Sequence, residues 1–242
     1  KTIPFLFQNI SSPIKSIYLS CAMAKTLIQF SLVFLITFYV TGKKKFWSFD
    51  FMLIASITTP LFQTFGFNQW MGVIDSSITY TFFYAFSICL VMLFLLPFFH
   101  AGFYRDNFHF KIITVIFLFL LTIVISFNGP LNAPVILLVC PSIIIHYFFK
   151  KFSSIPENGF FKRVSTSIKA MSSQLIFVLG FAIIVSLYSY YIGRNNSENL
   201  WETISLHERY SRLPGGLWSQ YLAIPGPGLI ILILLFNSII IK

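Results

Sequence analysis

Chemistry in this chain has few places to sit. It holds 7 acidic residues against 17 Lys and Arg in 242. The acid in the most suggestive setting is Asp75, in "NQWMGVIDSSITYTFFY" (68–84), just before an apolar run that lasts to about Phe99. Two readings fit it. As a helix N-cap, its carboxylate accepts free backbone N–H groups and meets the positive end of the helix dipole. As part of a site, it would be a general base or an acceptor for a sugar hydroxyl. Ser76, Thr79, Tyr80 and Tyr84 continue inward from it, with Trp70 ahead of it. At helical spacing Thr79 lies one turn below Asp75, and Tyr80 and Tyr84 are one turn apart, so these groups can line a polar groove. A cap alone does not require that run of hydroxyls.

A second candidate is Lys25, inside an apolar run about nine residues from its start. At about 1.5 Å per residue that is roughly 13 Å deep. A charge at such depth points to function. Against this, a lysine stem can snorkel to the headgroups, or the span can begin near Thr26 with Ile17–Lys25 along the interface. The third candidate is "RNNSENLWETISLHERYSRLPGGLWSQY" (194–221). Arg209 and Arg212 share a helix face, and guanidiniums donate to phosphate in bidentate forks. His207 and Glu208 offer proton transfer. The plainer reading is an amphipathic interfacial helix with solvated pairs such as Glu208 with Arg212.

Metal and nucleotide chemistry find little purchase. His100, His109, His146 and His207 are scattered, and no CxxC, H-x3-H, P-loop or GxGxxG pattern occurs. A carboxylate site for Mg2+ or Mn2+ at Asp75 is the remaining cofactor option, and no second ligand stands at metal spacing. Cys21, Cys89 and Cys140 fall inside apolar runs and read as small core residues.

The elements that carry these groups are membrane helices. Only 10% of residues are charged and mean hydropathy is +0.82, where soluble domains run near 25% charged. Apolar stretches near or above 18 residues recur, and none alternates with the period 2 of a barrel strand. The expected fold is all-α: one transmembrane domain over 1–242, a polytopic bundle of about seven helices with short interfacial helices at the outer face. The spans are roughly Ser16–Val40, Phe46–Phe65, Ser76–Phe99, Phe110–Phe127, Pro134–Phe149, Ser173–Ile192 and Leu222–Ile241. The start at Lys1 without Met, and the end directly after an apolar run, suggest a piece of a longer chain.

Loop charge orients the bundle. Basic residues crowd 41–45, 100–111 and 150–169, which should be cytoplasmic. The outer-face loops are then 66–75 and 193–221, together with the Asn128–Asn132 turn. The net charge of +10 is accounted for by orientation and anionic lipid rather than by nucleic acid. The expected location is the bacterial inner membrane.

Three segments, "TPLFQTFGFNQWMGVIDSSITYTFFYAF" (59–86), "FNGPLNAPVILL" (127–138) and "YIGRNNSENLWETISLHERYSRLPGGLW" (191–218), resemble bacterial multi-pass proteins associated with the GT-C superfamily of membrane glycosyltransferases. The resemblance implies a many-helix fold and transfer of a sugar from a polyprenyl-phosphate donor at the outer face. A typical GT-C enzyme carries an acidic catalytic residue in its first outer loop, which would precede Lys1; Asp75 would join that site. The expected roles are Asp75, His207 and Glu208 for catalysis, and Lys25, Arg209 and Arg212 for the lipid phosphate. Ser76, Thr79, Tyr80, Tyr84 and Trp70 would line the groove. Expected partners are membrane lipids, including the polyprenyl-phosphate glycolipid. The alternatives are a non-enzymatic subunit packed among protein partners in a membrane complex, and a lipid or small-molecule transporter.

Overall fold

The computed structural model describes residues 2–42, 46–59, 77–104, 108–129, 131–156 and 159–193, with 207, 208, 211, 212, 214 and 215. Among them every regular element is helical: α1 (Thr2–Gln8), α2 (Pro13–Thr41), α3 (Phe49–Thr58), α4 (Ile78–Tyr80), α5 (Ser87–Tyr104), α6 (Ile112–Phe127), α7 (Asn132–Ser154), α8 (Phe160–Lys169) and α9 (Ser173–Gly193). A π-helical segment, Thr81–Phe86, joins α4 to α5 without a break.

Among the described residues four helices are long and apolar enough to cross a membrane: Pro13–Thr41, Ile78–Gly102, Asn132–Ser154 and Ser173–Gly193. They answer to the first, third, fifth and sixth expected spans. α6 has the expected position but only 16 residues, roughly 24 Å at 1.5 Å per residue, short of a bilayer core of about 30 Å. α3 has 10. The seventh span, the rest of the second and the loop 66–75 lie outside the described residues.

Local chemistry sets the helix ends. Pro13 opens α2, where its missing N–H costs nothing. Gly42 closes it in the left-handed region, φ 62°, and its N–H reaches the Phe38 carbonyl at 2.8 Å. α7 runs five residues past the expected Phe149, through Lys150 and Lys151. Lysine is a good helix former and can carry its charge beyond the apolar zone on its stem.

The helices pack through aromatic and small residues. One core joins α5, α6, α7 and α9 around Phe94, Leu118, Ile125, Cys140, Leu175 and Leu179. A second joins α2 to the π-helical segment and α5 around Leu32, Ala85 and Cys89. Cys89 and Cys140 are buried, as the cysteine reading expects, and Cys21 is half-buried. In lipid such contacts act through close packing rather than water exclusion. Among the described residues the buried polar groups are neutral, and many satisfy themselves within a helix. Thr26, Ser31, Thr37, Thr41, Thr122 and Ser142 each donate their hydroxyl to the carbonyl four residues back.

Contacts sort the helix ends into two groups. At one end the Tyr39 ring lies 4.7 Å from that of Phe99, and Phe108 meets Tyr147 edge-on at 4.8 Å. There the Phe110 N–H donates to Gln174 at 2.7 Å and Ser172 donates to the Phe108 carbonyl at 3.0 Å. Among the described residues this end carries His109, Lys111, His146, Lys150, Lys151 and the α8 cations. The opposite end holds the Asn128–Asn132 turn and the start of α4. Two further helices flank the long ones. α1 leads into the N-terminus of α2, while α8 is amphipathic and docks on α7 at the basic end. There Arg163 Nε donates to the Phe152 carbonyl at 2.7 Å and its guanidinium covers that ring at 4.4 Å.

Candidate functional site

The end away from the basic residues is built around the π-helical segment. The wider π turn carries Thr81–Phe86, and π segments inside α-helices are frequent at functional sites. Here the widening has a visible partner. Ser87 Oγ donates to the Asn128 carbonyl at 3.1 Å, and the Asn128 amide donates back to Ser87 Oγ at 3.4 Å. The α6–α7 turn is thereby seated on the segment. Gly129 lets it sit so close. Its φ is +89°, and a Cβ there would lie 2.7 Å from Ser87 Oγ and 2.8 Å from the Phe83 carbonyl.

The turn is braced from behind. Asn132 is buried, and its amide donates to the Ile125 carbonyl at 3.1 Å and to that of Asn128. Ser126 and Ser186 share a hydrogen bond at 3.1 Å between α6 and α9, and Ser189 donates to the Ser126 carbonyl. These neutral groups tie the π-helical segment, α6, α7 and α9 together. An unsatisfied one would cost about 1–3 kcal/mol, so each bond selects this arrangement.

The expected groove residues fall unevenly on this end. Tyr80 and Tyr84 come together as neighbours, their ring centroids 6.2 Å apart. Tyr80 is exposed and Tyr84 half-buried, so the pair borders the surface. Thr79 is exposed too. Thr81, next in the hydroxyl run, is buried and donates to the Ser77 carbonyl at 3.0 Å. That hydroxyl serves its own helix. Lys25 is half-buried, and α2 runs through it without interruption from Pro13, so no helix start occurs near Thr26. His207 and Glu208 are exposed, and Glu208 Oε1 binds Arg212 at 2.6 Å as the i,i+4 pair of the plainer reading. Asp75, Ser76, Trp70 and Arg209 lie outside the described residues.

Sequence reasoning missed a groove at the basic end. About 640 Å3 opens between α2, α5 and α7, a volume within the usual range for small-molecule sites. One wall is a stripe of α7: Leu138, Ser142, His146 and Lys150, each four residues from the last. The facing wall is Leu95, Phe98, Phe99 and Gly102 of α5, and Tyr39 closes the α2 side. Tyr39 donates its hydroxyl to the Met92 carbonyl at 2.7 Å, and Ser142 donates to the Leu138 carbonyl at 2.7 Å. The polar side chains at this end of the groove include His146, Tyr147 and Lys150. The signal for one wall was the spacing L-x3-S-x3-H-x3-K, readable as a single helix face. What hid the groove is that its other walls are far away in sequence.

Among the described residues no cluster of three or more His, Cys, Asp or Glu stands ready for a metal ion. Comparison of the chain with protein families, with characterised proteins and with solved structures finds no match.

Proposed function

We propose that the protein is a multi-pass membrane protein of the GT-C-like kind, which modifies a polyprenyl-phosphate-linked sugar at the outer face of the bacterial inner membrane. The basic end then faces the cytoplasm, by the positive-inside rule. The observation that favours this reading is the Tyr80–Tyr84 pair. It borders the surface at the end away from the basic end, where α4 passes into the π-helical segment, directly after the stretch that carries Asp75.

In this reading an acceptor hydroxyl attacks the anomeric carbon of the lipid-linked sugar. The bond from that carbon to the phosphate oxygen breaks, and the polyprenyl phosphate leaves with the electron pair. Asp75 takes the hydroxyl proton or orients the acceptor. Arg209 and Arg212, with Lys25, stabilise the leaving phosphate. Arg212 would exchange its partner Glu208 for that phosphate. His207 and Glu208 are the further acid/base groups.

The test is Asp75→Asn in reconstituted membranes. Loss of sugar transfer with normal insertion is the expected result, because Asn caps a helix about as well as Asp but takes no proton. Turnover equal to wild type overturns the catalytic role of Asp75. It would favour instead the non-enzymatic subunit, for which the exposed apolar face of α6, with Ile113, Ile116, Phe117 and Leu120, offers a place to pack.

A further inference from the structure

We infer that the groove at the basic end holds an uncharged lipid whose head is a flat, carbonyl-bearing ring: a quinone with an isoprenoid tail. The α5 wall of the groove begins at Leu95, eleven residues beyond Tyr84 on the same continuous helical rod, which is roughly 16 Å at 1.5 Å per residue. The site is therefore separate from the outer-end one, and the inference does not depend on sugar transfer.

One buried hydroxyl carries the inference. Tyr147 lines the groove and is only 6% exposed, yet among the described residues its hydroxyl makes no hydrogen bond. The ring is held by Phe108, edge-on at 4.8 Å, and by Lys151 Nζ at 5.2 Å; neither satisfies the oxygen. A hydroxyl taken out of water without a partner is disfavoured, and buried polar groups in folded proteins almost always have one. Its neighbours in the groove do not supply it. Tyr39 and Ser142 give their hydroxyl hydrogens to backbone carbonyls, and Lys150 is engaged in an interaction of its own. His146, beside Tyr147 in the same wall, is likewise without a hydrogen bond among the described residues. A neutral imidazole keeps one N–H to donate. Two donors in one wall, with no carboxylate among the described lining residues, call for carbonyl oxygens on the ligand.

The other walls select the rest of the ligand. This end of the groove is aromatic, with Phe108 against Tyr147 and the rings of Tyr39 and Phe99 4.7 Å apart. A flat conjugated ring can set a face or an edge against such side chains. An ionised head would give up its hydration among them, whereas a quinone head carries no charge. Further in, Leu95, Leu138 and Val139 present only hydrocarbon, which suits a branched apolar tail. A diacylglycerol is also uncharged, but it carries its oxygens on a flexible chain and has no ring to offer the aromatic walls.

Photolabelling tests the site. The full chain is placed in phosphatidylcholine nanodiscs with a benzoquinone probe whose isoprenoid tail carries a diazirine, and adducts are mapped by mass spectrometry. In wild type the probe should label Leu95, Leu138 and Val139. About a tenfold excess of unlabelled quinone should cut those adducts about tenfold, by mass action at a filled site; the same excess of dioleoylglycerol should leave them in place. Tyr147→Phe keeps the ring against Phe108 and removes only the oxygen. It should raise the probe concentration for half-labelling about fivefold, the worth of one hydrogen bond. Adducts on the exposed Ile113 and Phe117 of α6 should stay unchanged and report an intact fold. Displacement by dioleoylglycerol as effective as that by quinone overturns the inference, since the groove is then a general acyl-chain cleft. So does half-labelling unmoved by Tyr147→Phe, or no groove adducts at all, as when a protein helix fills the space.

Discussion

At the scale of single residues, the same chemical types do different work according to their neighbours. Ser142 lines the basic-end groove and Thr81 follows Tyr80 in the hydroxyl run, yet both hydroxyls are bonded back to their own helices. Ser87 bonds outward to Asn128 instead, and so becomes a joint between segments. Gly129 is the residue on which that joint turns. Gly129→Ala would have to hold φ near +89° and push a methyl against Ser87 Oγ and the fixed Phe83 carbonyl. Strain and overlap together should cost roughly 2–3 kcal/mol. A clear drop in melting temperature by thermal-shift measurement is expected; a melting point equal to wild type would mean the turn does not sit on the π-helical segment. Asp75 and the hydroxyl run were legible as a feature. Which hydroxyls remain to meet a ligand was not, because hydrogen-bond partners depend on backbone geometry.

At the scale of elements, the helices divide by how they are joined. α2 and α5 run in the same direction and meet through Cys89 on the Ile28 carbonyl and Tyr39 on that of Met92. α6 and α9 also run side by side, with Phe119 against Phe177 and Phe181, and Ser126 against Ser186 one stretch further along both. The serine pair is buried between apolar neighbours, so its strength reports how closely the two helices approach. A double-mutant cycle with Ser126→Ala and Ser186→Ala should give a coupling of about 0.6 kcal/mol, the average for such bonds in membrane bundles. Strictly additive effects would show that the hydroxyls do not meet. Periodicity and hydropathy located these helices, since a span needs only length and apolarity. They did not locate α8 as a docked element, because its attachment rests on Arg163 finding Phe152 across a turn.

At the scale of the whole molecule, the main distinction is between the two ends. One gathers basic side chains and a groove; the other gathers neutral amides, serines and the Tyr80–Tyr84 pair. If loop charge sets the orientation, a membrane-impermeant maleimide added outside intact cells should label Leu131→Cys but not Ser153→Cys. Both residues are exposed, at opposite ends of α7. Labelling of Ser153→Cys alone would reverse the topology and move the proposed outer-end site inside the cell. The native cysteines do not confuse the result provided the unsubstituted chain is carried as a control. Cys89 and Cys140 are buried in the helix cores.

Sequence alone determined the helical class and, among the described residues, the position of each of the four long apolar helices. Each follows from composition and spacing along the chain: backbone polar groups in lipid must bond within a helix, and lysine and arginine resist burial there. Tertiary structure decided how those helices meet. It bonded Asn128 to Ser87 and Asn132 to Ile125, paired Ser126 with Ser186, and set the Leu138–Lys150 stripe opposite α5 to form a groove. Apart from the Asn132 bond, each of those facts relates groups tens of residues apart, and their distances follow from packing, which no local pattern encodes.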